Sequence, residues 1–173
     1  MFVSVINNVK FKSPILVASG TYGYGHEVND IAKVDQLGGI VTKSVTLNPR
    51  EGNPPPRIAE TSSGMLNSIG LANLGVKQFC KEKIPYLNDL KTNVIINVAG
   101  STFEEYIKII DLLETQDSSH VGYEINISCP NVKHGGMEFG VNPDMTEKLA
   151  ASIRKITDKL LIMKLSPNVS DIV

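Results

Sequence analysis

Tyr123-Glu-Ile-Asn-Ile-Ser-Cys-Pro-Asn131 is where the fold is decided. From Val121 to Ile127 the residues are β-branched and aromatic, which suits a buried strand. Pro130 has no amide hydrogen and cannot continue a ladder. The strand therefore runs out into a loop that carries Asn126, Ser128, Cys129 and Asn131. Two amides and a thiol at such a point can orient a planar polar ligand and exchange a proton with it. A turn-capping asparagine and a packed thiol would use the same residues, since free cysteine is commonly buried.

Working outward, the same arrangement recurs. Pro14–Ala18 reads as a short strand ending in Ser19-Gly20, and Ile40-Val-Thr42 as one ending in Lys43-Ser44. Val94-Ile-Ile96 runs to Asn97, and Leu160-Leu-Ile-Met163 runs to Lys164. Between them lie helical patterns: Glu27–Leu37, Val76–Leu90 bent or split at Pro85, a helix opened by a capping box Ser101-Thr-Phe-Glu104, and one starting at Pro143. Tyr106, Ile109, Ile110 and Leu113 share one helical face, and Leu149, Ile153 and Ile156 another. An N-terminal hairpin is expected across Asn7-Asn8, a pair that tolerates positive φ. The long segment Thr46–Asn73 mixes apolar residues with glycines and reads as a packed lid.

Strands alternating with helices predict an α/β protein with a parallel sheet. Two architectures compete: a five-stranded doubly wound sheet and a (β/α)8 TIM barrel. The polar residues favour the barrel, because all five strand ends would meet at its mouth, whereas an open sheet has no reason to make every end polar. A barrel needs about 250 residues, so 173 residues supply only about the first five βα units. Ser170-Asp-Ile-Val173 has the form of an N-cap and first helical turn. The expectation is a single domain over residues 1–173, truncated at its C-terminus.

Composition limits the functional classes. With a formal net charge of −1, 20% charged residues and no basic run, the chain has no electrostatic footprint for nucleic acid or an anionic membrane. No apolar run approaches spanning length, and nothing at the N-terminus resembles a signal peptide. Cys80 and Cys129 lack metal-type spacing, and two reduced thiols point to a cytoplasmic protein without a metal site. His26, His120 and His134 are expected to be solvated or in loops. Arg50 and Arg57 flank the proline run Pro54-Pro-Pro56 and could serve either loop-ordering salt bridges or a subunit contact.

Seven motifs in order carry a resemblance. They are Ala18-Ser-Gly20, Val41-Thr-Lys-Ser44, Asn48 to Arg57, Gly64-Met-Leu-Asn-Ser-Ile-Gly-Leu71, Asn97-Val-Ala-Gly100, Ile125 to Asn131 and Met163-Lys-Leu165. With these, the sequence resembles the catalytic, flavin-binding subunit of class 1 dihydroorotate dehydrogenases over nearly its whole length. The Gly64–Leu71 motif is similar to subclass 1B. The resemblance implies oxidation of dihydroorotate to orotate in pyrimidine biosynthesis, with a proton taken from C5 and a hydride passed from C6 to FMN. It implies Cys129 as the base. Lys43, Asn67, Gly70, Leu71, Asn126 and Asn131 are implied as substrate contacts. Ala18, Ser19, Gly20, Lys43, Ser44, Asn97, Asn126 and Lys164 are implied as FMN contacts. It further implies a homodimer, and for subclass 1B a heterotetramer with an iron–sulfur and FAD subunit that passes electrons to NAD. Two other functions stay open: an inactive half-barrel serving binding or assembly, and a related flavin barrel acting on another pyrimidine.

Overall fold

The computed structural model describes residues 3–28, 30–128 and 139–166. Its centre is a five-stranded, wholly parallel sheet of β3 (Leu16–Val17), β4 (Gly39–Val41), β7 (Asn93–Val98), β8 (Gly122–Asn126) and β9 (Leu160–Lys164), in that spatial order. Two antiparallel hairpins accompany it, β1 (Ser4–Ile6) with β2 (Val9–Phe11), and β5 (Ile58–Thr61) with β6 (Gly64–Asn67). The helices are α1 (Val76–Glu82), α2 (Ile84–Asp89), α3 (Phe103–Glu114) and α4 (Pro143–Arg154).

The two faces of the sheet are used differently. Ile40, Val94, Ile96, Val98, Tyr123 and Ile125 pack with Val76, Phe79, Ile84, Leu87, Tyr106, Ile109, Ile110, Leu113, Leu149 and Ile153, so all four helices cover one face. The opposite face carries Val41, Ile95 and Leu160, covered at its start by Phe11 of the N-terminal hairpin. A doubly wound sheet has helices on both faces and a point where strand order reverses. The described strands show neither feature, and they form an open sheet with β3 and β9 at its edges.

Most local expectations hold. Asn7 and Asn8 turn the first hairpin at φ +43° and +67°. Pro85 splits the second helix into α1 and α2, and Pro143 opens α4 behind the N-cap Asn142. The capping box sits one residue later than expected. Thr102 is the N-cap and accepts from the Glu105 amide at 3.3 Å, while Glu105 accepts from the Ser101 amide at 2.6 Å.

Two expectations fail and a third holds only in part. Glu27–Leu37 is no α-helix: its described residues form two 3₁₀ turns, His26–Val28 and Val34–Gln36. Ile31, needed for the apolar face, is 87% exposed while Val28 and Val34 pack on the core, so the four apolar residues do not share the one buried face that would hold a short helix. The Thr46–Asn73 segment is not a packed lid. It projects the hairpin β5–β6, whose residues are all exposed, Ile58, Met65 and Leu66 included. Finally, His120 lies in a loop, as expected, but it is buried rather than solvated. Cys129, Asn131, His134 and the segment 170–173 lie outside the described residues.

Candidate functional site

Parallel strands bring all their C-terminal ends to one edge, and the buried polar residues gather there. Of the eight described polar residues that are buried, Thr42, Ser44, Thr46, Asn97, Asn126 and Ser166 lie at or just beyond the ends of β4, β7, β8 and β9. Burying a polar group costs free energy unless it is paired, so this clustering marks a functional edge. The other two, His120 and Thr157, precede β8 and β9 at the opposite end.

Register sets the neighbours. Val41 and Ile95 are partners, as are Asn97 and Glu124, and Asn126 and Lys164. Side chains at alternate positions share a face, so the surface that begins with Val41, Ile95 and Leu160 becomes Asn97, Glu124, Asn126 and Lys164 toward the C-terminal edge. Asn97 Nδ2 donates to Glu124 Oε1 at 2.6 Å. Asn126 is fixed at both ends: Tyr106 donates its hydroxyl to the Asn126 carbonyl at 2.8 Å, and Ser128 donates to Asn126 Oδ1 at 2.7 Å.

After β4 the strand is bulged. From Val41 to Val45 there are four steps against three from Ile95 to Val98, the residues they face. Bulges re-aim side chains and occur beside active sites. This one carries Lys43 and Ser44. The Lys43 amide donates to the Gly23 carbonyl at 2.7 Å, tying the loop after β3 to the bulge. Ala18, Ser19 and Gly20 begin that loop, with Gly20 at φ +88°. A Cβ there would meet nothing within 4 Å, so the turn requires glycine for its backbone conformation, not for space.

The long segment is clasped to this edge by Asn73, which sequence reading passed over. Its Oδ1 accepts from the Thr46 amide at 3.2 Å and the Gly75 amide at 2.8 Å, and its Nδ2 donates to the Leu71 carbonyl at 2.7 Å. Gly70 and Leu71 are thereby held beside the strand ends, both at positive φ (+73° and +56°). Leucine rarely adopts that region, and such strain concentrates at functional positions. Asn67, the last residue of β6, lies farther out on the exposed hairpin. Arg57 makes no salt bridge among the described residues; it donates to the Asn53 and Glu51 carbonyls at 2.5 and 2.7 Å.

Two features show what the edge can hold. Lys43 and Lys164 are half-buried, yet neither ammonium has a hydrogen bond or ion pair among the described residues. Half-buried unpaired cations favour an anion or an anionic ring. The Asn97 side chain is fully buried, and its Oδ1 has no hydrogen-bond partner among the described residues. An orphaned buried acceptor is a standing cost that a ligand donor removes. A flavin supplies both a ring N–H and an electron-poor ring that becomes anionic on reduction, so these residues fit it. No described group of His, Cys, Asp or Glu could hold a metal ion, and no described helix is long and apolar enough to cross a membrane. Glu124 was overlooked in the sequence, although its i, i+2 spacing from Asn126 places both on one face.

Comparison with known proteins places the chain in a family. The family model described as dihydroorotate dehydrogenase matches residues 1–173. The chain is 47% identical over 167 residues to "Dihydroorotate dehydrogenase B (NAD(+)), catalytic subunit" of Thermoanaerobacter pseudethanolicus, covering 96% of this chain and 55% of that protein. The protein of the same name from Geotalea daltonii is 46% identical over 168 residues, 97% of this chain and 55% of its own. That of Bacteroides thetaiotaomicron is 47% identical over 167 residues, 96% and 55%. The chain thus spans about half the length of the curated relatives it matches.

Proposed function

The chain belongs to the dihydroorotate dehydrogenase family, and from that membership we propose that it forms the first five βα units of a (β/α)8 barrel that oxidises dihydroorotate to orotate in pyrimidine biosynthesis. Sequential strand order and helices on a single face support the barrel. The observation that carries the site is the pair of unpaired, half-buried lysines, Lys43 and Lys164, beside the amides of Asn97 and Asn126.

Bound FMN would supply the acceptor for the hydride leaving C6. Lys43, Ser44, Asn97, Asn126 and Lys164, with the loop Ala18–Gly20, are the residues that would hold its ring. Lys43 and Lys164 place positive charge where negative charge develops, without reorganisation at the moment of reaction. Asn67, Asn126 and Asn131 each offer a donor and an acceptor, which suits the alternating N–H and C=O groups of a pyrimidine. Gly70 and Leu71 add backbone contacts. Cys129 takes the proton from C5, a role for which a thiol needs its pKa lowered or a transition state that shares the proton.

The relatives' name, an NAD(+)-type catalytic subunit, supports subclass 1B. This chain would then act in the cytoplasm as a homodimer within a heterotetramer, its iron–sulfur and FAD partner passing electrons to NAD. The test is an anaerobic absorbance spectrum of the purified protein before and after dihydroorotate. Flavin bands that bleach support the reading. A colourless full-length protein that takes up no FMN refutes it, and bleaching of that protein by dihydrouracil alone assigns the chain to another pyrimidine. In the flavin-loaded protein, Cys129→Ala should abolish turnover while FMN stays bound; surviving turnover removes Cys129 from its role.

A further inference from the structure

We propose that Glu124 is a positioning residue: its carboxylate turns the Asn97 amide so that Oδ1 is offered as a hydrogen-bond acceptor to an imide N–H of the bound ring. This rests on the flavin reading above and deepens it.

Asn97 is nearly accounted for. Its main-chain amide donates to Thr42 Oγ1 at 3.2 Å, and its carbonyl accepts from the Val45 amide at 2.9 Å. Its Nδ2 donates to Glu124 Oε1 at 2.6 Å. What remains is Oδ1, buried and without a partner among the described residues. An asparagine amide can flip, and in most settings either end can face a neighbour. Here it cannot. A carboxylate has only acceptors, so a flipped amide would set carbonyl oxygen against carboxylate oxygen. The register pairing of Asn97 with Glu124 on adjacent strands keeps the two side chains together. Glu124 therefore decides which end of the Asn97 amide a ligand meets.

An acceptor calls for a donor on the ligand. The oxidised isoalloxazine has a single ring N–H, N3–H, between two carbonyls, and the pyrimidine substrate carries an imide N–H of the same kind. Either could satisfy Oδ1, and the test separates them.

Full-length protein freed of flavin is titrated with FMN and with N3-methyl-FMN, following flavin fluorescence, for wild type, Glu124→Ala and Glu124→Gln. Loss of one buried hydrogen bond is worth about tenfold in affinity, so wild type should prefer FMN by about tenfold or more. Glu124→Ala should reduce that preference to about twofold while binding N3-methyl-FMN nearly as wild type does. A role in holding the strands alone would weaken both flavins equally and leave the ratio unchanged, and that result overturns the proposal. If Glu124→Ala does not fold, as judged by circular dichroism, Glu124→Gln decides: its amide can pair with Asn97 in either orientation, so a reduced ratio supports the proposal and an unchanged one overturns it. A parallel titration of the flavin-loaded protein with orotate and 3-methylorotate tests the other source: a preference that collapses only there assigns the N–H to the pyrimidine. A wild type that binds neither ring defeats the flavin reading itself, a failure distinct from an unchanged ratio.

Discussion

His120 should make this protein acid-sensitive in a window where surface carboxylates do not. The residue precedes β8 and is 4% exposed. Its Nδ1 lies 2.8 Å from Ser118 Oγ, its Nε2 is buried without a partner among the described residues, and its ring meets Tyr123 edge-on at 4.8 Å. Burial, then the nearby Lys159 charge, holds its pKa down to about 4, against 6.5 for an exposed histidine, with Glu114 pulling weakly the other way. The unfolded chain therefore binds a proton at about pH 6.5 that the folded chain refuses until about pH 4. Stability from this group is complete above pH 6.5 and is lost as pH falls toward 4. The gap of about 2.5 units, at roughly 1.4 kcal/mol each, amounts to about 3 kcal/mol. By pH 4.5 about 2.5 kcal/mol of it should be gone, which for a chain of this size lowers Tm by roughly 5–10 °C. His120→Phe keeps a ring of similar shape and removes the titration. Thermal unfolding at pH 7, 6, 5 and 4.5 should then show a clearly shallower decline than wild type. Parallel declines in the two proteins would refute the reasoning. Glu114 enters only at the acid end of this window. Burial pushes its carboxyl up, but hydrogen bonds from Tyr123, Lys159 and Thr157 outweigh that and hold it below the usual range, so its share is lost only at lower pH.

Tyr106→Phe should cost about 1–2 kcal/mol in urea unfolding, because the buried Asn126 carbonyl loses its 2.8 Å donor; ligand affinity should fall with it, since the same bond steadies Asn126. Gly122→Ala places a Cβ 2.5 Å from the Leu160 carbonyl oxygen, where β8 and β9 pair. It should destabilise by roughly 2 kcal/mol or more in the same assay, and a neutral result would mean the strands yield there. Thr102→Ala should lower stability by about 1 kcal/mol and Thr102→Ser by much less, as expected if the Thr102 hydroxyl caps α3.

Local chemistry determined a good part of this protein from its sequence alone. The strand ends, the split at Pro85, the hairpin turn at Asn7-Asn8 and the buried face of α3 were legible because each depends on residues a few positions apart. The polar residues that close each strand were legible for the same reason, and parallel pairing then had to bring them to one edge. Other features depended on partners distant in sequence. Val28, Ile31, Ala32 and Val34 have helical spacing, but no described surface buries Ile31, and the described residues form 3₁₀ turns instead. Apolar residues at 58, 65 and 66 suggested a packed lid, yet Ser62-Ser63 turns them into an exposed hairpin. His120 looked like an ordinary loop histidine until packing buried it and set the Lys159 charge beside it. Glu124 looked like one charge in a strand until register set it against Asn97, 27 residues away. Periodicity reports which side chains share a face. Only the assembled sheet decides what that face meets, because burial and pairing are set by neighbours the local sequence does not contain.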